Sequence, residues 1–145
     1  MSSRASTNSA GSGRLVLVVD ASVLYDVLTD GPAAPAARVR MASDPDQVAP
    51  QVIDAEVMGL LRRDAMLRAV DATTCSLAVR ELHDWPADRL SLRPFLDRVW
   101  ELRGNVRTWD AFYVAVAEAF DCPLLTLDRR LARAKGPRCQ IQVIG

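Results

Sequence analysis

Three acidic residues occupy positions where a folded chain would need a partner for their charge. Asp20 and Asp128 each follow a short apolar stretch that is typical of a buried strand. Asp110 falls in the first turn of an apolar helical segment, residues 108–120, for which Thr108 is the expected N-cap. The helix dipole alone would stabilise Asp110 there. For the two acids at strand ends, an unpaired buried carboxylate is so unfavourable that each predicts a partner nearby.

A fourth acid is expected from the longest helical stretch, residues 52–70. Asp54 and Glu56 lie on opposite flanks of its apolar stripe, at about 100° per residue, and the periodicity does not choose between them. Either one would complete a crevice holding four negative charges. The stripe consists of Ile53, Val57, Leu60, Leu61 and Leu67.

Only a cation makes such a cluster tolerable, and its chemistry follows from the ligand types. Carboxylate oxygens with no Cys or His nearby select hard divalent ions, Mg²⁺ or Mn²⁺. Such an ion activates water and neutralises charge on a phosphoryl group, so the cluster predicts phosphodiester hydrolysis. Four arginines could hold the phosphates, although each could equally be a solvated surface residue: Arg103, Arg107, Arg129 and Arg130.

Apolar strands alternate with helical segments, as in an α/β fold with helices on both faces of a mostly parallel sheet. The functional crevice of such a sheet lies at the carboxyl ends of its strands, where Asp20 and Asp128 fall. The expected strands are residues 15–19, 47–49, 88–92, 122–127 and 140–144. The expected helices are residues 22–28, 36–42, 52–70, 71–83, 94–103, 108–120 and a segment after Asp128.

Length and composition favour one globular domain of residues 15–145, preceded by a polar tail, residues 1–14, that we expect to be disordered. The 18 basic and 18 acidic residues cancel, so any site for a polyanion must be local. The apolar run after the tail is too short to span a bilayer, and we expect no membrane partner. Three cysteines without metal-binding spacing, Cys75, Cys122 and Cys139, favour a reducing compartment, the cytoplasm.

Several enzyme classes lack their motifs here. The single histidine, His83, has no GxSxG elbow to serve, and no GxGxxG or P-loop pattern is present. A phosphatase of the haloacid dehalogenase type needs a second Asp two residues after the first, where this chain has Ser22.

The four acidic segments together resemble the motifs of PIN-domain ribonucleases, particularly the VapC-like toxins of toxin–antitoxin pairs. The segments are VVDASVL, APQVIDAEVMGLLRR, LRGNVRTWDAFYVAVAEAF and LLTLDRRL, and the resemblance covers residues 15–144. It implies an α/β/α sandwich with a five-stranded, mostly parallel sheet and an RNA endonuclease that depends on Mg²⁺ or Mn²⁺. It also implies a homodimer and a small cognate antitoxin whose tail covers the active site.

The resemblance assigns the catalytic, metal-binding acids to Asp20, Glu56 rather than Asp54, Asp110 and Asp128. A non-catalytic RNA- or protein-binding module on the same fold remains the alternative. Arg107 stands where many relatives have a small or uncharged residue. The supporting or substrate-binding residues expected around the acids are Ser22, Arg103, Asn105, Arg107 and Thr126.

Overall fold

The computed structural model describes residues 16–145, and the expected tail lies outside the described residues. Within that range the chain forms five strands, seven α-helices and a 3-10 turn at Arg93–Phe95. The strands are β1 (Val16–Val19), β2 (Asp46–Pro50), β3 (Asp88–Leu90), β4 (Leu124–Thr126) and β5 (Ile141–Val143). The helices are α1 (Ala21–Thr29), α2 (Ala34–Ser43), α3 (Val52–Met66), α4 (Ala72–Asp84), α5 (Leu96–Glu101), α6 (Thr108–Ala119) and α7 (Arg129–Arg133).

All five strands run parallel in one sheet, in the order β3-β2-β1-β4-β5. The predicted α/β class with a five-stranded sheet is confirmed, and the sheet is parallel throughout. Strand β1 is central, with Val18 in register with Val48 of β2 and Leu124 of β4. Because β1 and β4 are neighbours, the residues that follow them, including Asp20 and Asp128, emerge at the same edge of the sheet.

Helices cover both faces of the sheet because β1 is apolar on both sides. Leu17 and Val19 pack in one cluster with side chains of α1 and α2. Val18 packs in the larger cluster on the other face, with side chains of α3, α4 and α6. Helix α6 is buried at every position from 111 to 117, as its apolar sequence predicts.

The first turn of α6 differs from the sequence-based expectation. The helix begins at Thr108 itself, so the prediction that Thr108 caps it is wrong. Arg107 occupies the cap position with an extended backbone, φ −63° and ψ 150°, and its side chain makes no capping hydrogen bond. Trp109 is 54% exposed, which places this turn at the surface. The positive end of the helix dipole is therefore open at the turn that carries Asp110.

Helix α3 ends earlier than its composition suggests. It stops at Met66 because Arg68 adopts a left-handed conformation, φ 57°. The Arg68 N–H donates to the Ala65 carbonyl at 3.1 Å, and the Ala69 N–H donates to the Asp64 carbonyl at 2.8 Å, which together form a Schellman cap. Leu67, predicted as part of the buried stripe, is instead 70% exposed.

Replacing Arg68 by Gly is expected to raise the free energy of unfolding by about 1 kcal/mol. A side chain in the left-handed region costs about 1–2 kcal/mol, and the larger entropy of the unfolded glycine chain offsets part of that gain. Urea denaturation measures the change. The control is Arg62→Gly inside α3, which should lower the same free energy by about 1 kcal/mol. A lower free energy of unfolding for Arg68→Gly would show that the left-handed conformation of Arg68 is not strained.

Candidate active site

Two of the predicted acids are helix caps at the carboxyl ends of adjacent strands. Asp20 follows β1, and its Oδ1 accepts the backbone N–H of Val23 in α1 at 3.1 Å. Asp128 follows β4, and its Oδ1 accepts the backbone N–H of Arg130 in α7 at 2.8 Å. The parallel pairing of β1 with β4 therefore fixes the separation of the two caps.

Asp20 is the most enclosed acid of the site, with 6% of its surface exposed. The Ser22 hydroxyl donates to Oδ1 at 2.6 Å, and the Thr126 hydroxyl donates to Oδ2. Burial raises the pKa of Asp20, the hydroxyls of Ser22 and Thr126 lower it, and the charge of Asp110 raises it again. Ser22 and Thr126 thus hold and orient a carboxylate that burial disfavours.

Glu56 of α3 is held by a residue that the sequence analysis missed. The Tyr113 hydroxyl donates to Glu56 Oε1 at 2.5 Å. Burial raises the pKa of Glu56, and the charges of Asp110 and Asp20 add to the effect. Burial and the same carboxylate raise the pKa of Tyr113, so it remains a donor. The available signal was spacing, since Tyr113 lies three residues after Asp110 on the same face of α6.

Asp110 and Asp128 both form ion pairs with the guanidinium group of Arg107. Arg107 Nη2 lies 3.2 Å from Asp110 Oδ2 and 3.8 Å from Asp128 Oδ2. The Arg107 side chain is 74% exposed, so these are weak, solvent-screened ion pairs. Arg130 Nε lies 3.7 Å from Asp128 Oδ1 and is similarly exposed.

All four predicted acids line one cleft of about 310 Å³. The acid that α3 contributes to the cleft is Glu56. Asp54 lies outside the cleft and forms an ion pair with Arg89 of β3, with 3.1 Å between Arg89 Nη2 and Asp54 Oδ1. The other side chains that line the cleft include Ser22, Arg107 and Tyr113.

The donor set of the cleft fits a hard divalent cation, because it consists of carboxylate and hydroxyl oxygens. Across residues 16–145, no three Asp, Glu, His or Cys side chains are gathered into a ready-made metal cage. The Arg107 guanidinium stands between Asp110 and Asp128 and partly neutralises them. A metal ion would therefore compete with Arg107 for these two acids.

The remaining predicted residues divide between the cleft and its surroundings. Asn105 lines a neighbouring cavity of about 210 Å³ that shares Arg107, Asp110 and Asp128 with the cleft and includes Arg130. Arg103 lies outside both sets of lining residues.

The guanidinium of Arg103 stacks over the Trp100 ring at 4.2 Å, and its Nη1 donates to the Trp100 carbonyl at 2.8 Å. Arg129 is exposed and does not line the cleft either.

A family model described as the PIN domain matches residues 17–137. Ribonuclease VapC1 of Mycobacterium tuberculosis is 35% identical over 128 residues, which are 88% of this chain and 96% of the relative. The chain belongs to the PIN-domain family of VapC ribonucleases. The family resemblance predicted from the four acidic motifs is therefore confirmed.

Two solved structures share the fold of this PIN-domain protein. PAE2754 from Pyrobaculum aerophilum has a TM-score of 0.62 and 27% identity, with 88% of this chain and 83% of that chain covered. A member of the VapBC family of toxin–antitoxin systems, VapBC-5 from Mycobacterium tuberculosis, has a TM-score of 0.52 and 22% identity. The match covers 90% of this chain and 98% of that chain.

PIN-domain ribonucleases generally use a divalent metal ion, in agreement with the oxygen donors of the cleft. None of the helices within residues 16–145 is long and apolar enough to cross a membrane.

Proposed function

We propose that this PIN-domain protein is an Mg²⁺- or Mn²⁺-dependent endoribonuclease, and that residues 15–145 form one nuclease domain. The observation that carries the proposal is the convergence of Asp20, Glu56, Asp110 and Asp128 on one cleft at the carboxyl edge of the sheet. Supporting it, the curated relatives are ribonucleases of nearly the same length.

In the proposed site, Asp20, Asp110 and Asp128 would hold the ion, and Glu56 would add its negative charge beside them in the same cleft. When bound, the ion neutralises charge on the scissile phosphate and makes water more acidic. Ser22 and Thr126 fix the orientation of Asp20 before substrate arrives. This preorganisation lowers the reorganisation needed during the reaction.

Glu56 is suited to accept a proton from the attacking water. The Tyr113 hydroxyl engages Oε1, which leaves Oε2 to take the proton. Burial raises the pKa of Glu56 toward the working range of a general base. Because Tyr113 lies on α6 with Asp110, one helix positions both the base and a ligand of the ion.

We propose that Arg107 pairs with the acids of the cleft in the metal-free protein and with a phosphate of the RNA when substrate is bound. Its guanidinium pairs with Asp110 and Asp128 in the metal-free protein and is exposed enough to swing outward. With these acids neutralised in the loaded site, the guanidinium of Arg107 would be free to bind a backbone phosphate in two hydrogen bonds.

Replacing Arg107 by Ala is therefore expected to change metal and RNA affinity in opposite directions. Mn²⁺ binding without RNA should tighten by about two- to fivefold, as expected for loss of a screened competing charge. The KM for RNA should rise, because a phosphate contact is lost. Calorimetric Mn²⁺ titration and steady-state cleavage measure the two effects. Arg129→Ala, an exposed arginine that does not line the cleft, is the control; equal effects of both variants would contradict the role of Arg107.

The activity itself is tested with a structured RNA and the purified protein. The rate of cleavage in chelator should be near the background rate, and Mg²⁺ or Mn²⁺ should raise it by about 100-fold or more. Saturable RNA binding without cleavage under any divalent ion would favour the non-catalytic binding module instead.

We further propose that the protein acts as a toxin in the cytoplasm, forms a homodimer and is neutralised by a small cognate antitoxin. The support is the VapBC family of toxin–antitoxin systems to which one structural neighbour belongs. Expression should arrest the growth of a bacterial host, and co-expression of a short reading frame next to the gene should relieve the arrest. Absence of growth arrest by an active nuclease would remove the toxin assignment.

A further inference from the structure

A third cavity, about 350 Å³, lies at the amino ends of β4 and β5, at the edge of the sheet opposite the acidic cleft. Two of the three cysteines, Cys122 and Cys139, line this cavity. Both are free thiols in the structure. The nuclease mechanism uses neither residue, and their positions are unrelated to the acidic motifs.

The pairing of β4 with β5 brings the segments that carry the two cysteines to the same end of the sheet. Leu124 of β4 pairs with Ile141 of β5, and the Leu124 N–H donates to the Gln140 carbonyl at 2.9 Å. Cys122 and Cys139 each lie two residues before the strand that follows them, in the segments that lead into β4 and β5. Paired strands lie about 4.8 Å apart and a disulfide requires a Cα separation of about 4.4–6.8 Å, so segments that lead into two adjacent strands pass within reach of a bridge.

The side chains of the pair also point to the same face of the sheet. Cys122 belongs to the larger core cluster together with Leu124, and Cys139 packs against that cluster together with Ile141. Both thiols therefore lie on the side of the sheet that this cluster covers. The third thiol, Cys75, lies on α4 beside the Val70 carbonyl and is not part of the cavity.

We propose that Cys122 and Cys139 are a disulfide-forming pair that reacts with small-molecule disulfides such as oxidised glutathione. The half-buried Cys139 reacts first: it loses its proton, its thiolate attacks one sulfur of the small disulfide, and one thiol leaves. The Cys122 thiolate then attacks the Cys139 sulfur and expels the second thiol. Two protein thiols are oxidised, and one small disulfide is reduced to two thiols.

The surroundings of the pair set how easily it reacts. Burial raises the pKa of both thiols to about 11, so they are protonated at neutral pH and exchange slowly. The pair therefore closes slowly at neutral pH and faster as the pH rises toward the pKa of the thiols. The charged groups that act on the two thiols are Glu118 and Arg98 for Cys139, and Asp121 and Asp44 for Cys122.

The bridge would fasten the short edge strand β5 to β4. The closed segment runs from residue 122 to 139 and contains Thr126 and Asp128, which serve the acidic cleft at the other end of β4. Closing a segment of this length restricts the unfolded chain and so stabilises the folded state.

The test oxidises the full-length protein with oxidised glutathione at pH 8.5 and counts free thiols by alkylation and mass spectrometry. The reduced protein should take up three alkyl groups; after oxidation neither Cys122 nor Cys139 should be alkylated, and Cys75 should carry an alkyl group or a single glutathione. Peptide mapping should show the peptide of Cys122 joined to that of Cys139 within one chain. The melting temperature should rise by about 5–10 °C on oxidation.

Variants separate the two steps and control for the third cysteine. Cys75→Ser should form the same bridge and show the same rise in melting temperature. Cys122→Ser should stop at a mixed disulfide with glutathione on Cys139, whereas Cys139→Ser should show neither adduct nor rise. Three thiols still reactive after prolonged oxidation of the wild type, or a bridge that includes Cys75, would overturn the proposal. The wild-type peptide map needs no variant and no RNA cleavage, so the test stands even if a serine variant folds poorly or the protein is not a nuclease.

Discussion

Replacing Asp20 by Asn is expected to reduce RNA cleavage by about two to three orders of magnitude or more while the protein stays folded. The variant keeps the shape of the side chain but removes the charge of a proposed metal ligand. Asp20 is the ligand that neighbouring groups are least able to replace. Asp20 is almost fully buried and already committed to the hydroxyls of Ser22 and Thr126. Its amide oxygen can still accept the Val23 N–H, and Asn is a good N-cap, so α1 should begin as before.

The matched control for this variant is Asp71→Asn. Asp71 is also an N-cap, and its Oδ1 accepts the Thr74 N–H of α4 at 2.8 Å, but it does not line the acidic cleft. Asp71→Asn should change the free energy of unfolding by less than about 1 kcal/mol, and Asp20→Asn should not lower it by more than that amount. Only Asp20→Asn should lose activity and the stabilisation by Mn²⁺. If Asp20→Asn turned over RNA at the wild-type rate, Asp20 would be a helix cap only.

The positions of Asp20 and Asp128 could be predicted from sequence because they depend on strands alone. Each follows an apolar strand, and in a parallel sheet all carboxyl ends share one edge. The acid on α3 could not be chosen in the same way. Asp54 and Glu56 flank one apolar stripe, and the structure separates them by what faces each flank: Arg89 for Asp54, Tyr113 for Glu56.

Two of the features that sequence reasoning missed depend on tertiary contacts, and the third is a backbone conformation. Tyr113 lies in an apolar helix, so its spacing from Asp110 does not by itself distinguish it from a core residue. The contact with Glu56 does. The end of α3 carries no glycine, so the left-handed Arg68 gives no local signal and residues 67–70 look like more helix. The side chain of Arg107 lies between two acids that are 18 residues apart in sequence, Asp110 and Asp128, and only the fold creates that position.

The electrostatic cost of the cleft leads to the second large expected effect, a metal-dependent change in stability. In chelator, burial and mutual repulsion hold the pKa values of Asp20 and Glu56 above those of the unfolded chain. Groups with raised folded pKa values favour the folded state below their unfolded pKa, and that contribution disappears as the pH rises through the folded value. The metal-free protein should therefore gain stability as the pH is lowered from neutral toward these raised values. Mn²⁺ at 100 times its dissociation constant should restore about 2.7 kcal/mol at neutral pH.

Glu56→Gln and Asp54→Asn test this origin on the same helix. In chelator at pH 7, Glu56→Gln should unfold with a free energy about 1 kcal/mol higher than the wild type, because it removes a half-buried carboxylate from the cleft. Its stability should depend less on pH between 7 and 5, and Mn²⁺ should stabilise it less. Asp54→Asn loses only a partly exposed ion pair with Arg89, so it should keep the wild-type pH dependence and the full Mn²⁺ shift.

Chemical denaturation of the wild type and both variants, in chelator and in Mn²⁺, at two pH values, measures every free energy in this comparison. Acids whose pKa is lowered in the folded state, such as Glu118 beside Arg98, oppose the effect at lower pH. They are the same in all three proteins, so they cancel in the difference between variant and wild type. If Glu56→Gln were less stable than the wild type in chelator, and Mn²⁺ shifted all three proteins equally, Glu56 would not belong to a shared cation site. The base assigned to this residue would then have to be sought elsewhere in the cleft, whereas the ligand role of Asp20 would still rest on its own variant.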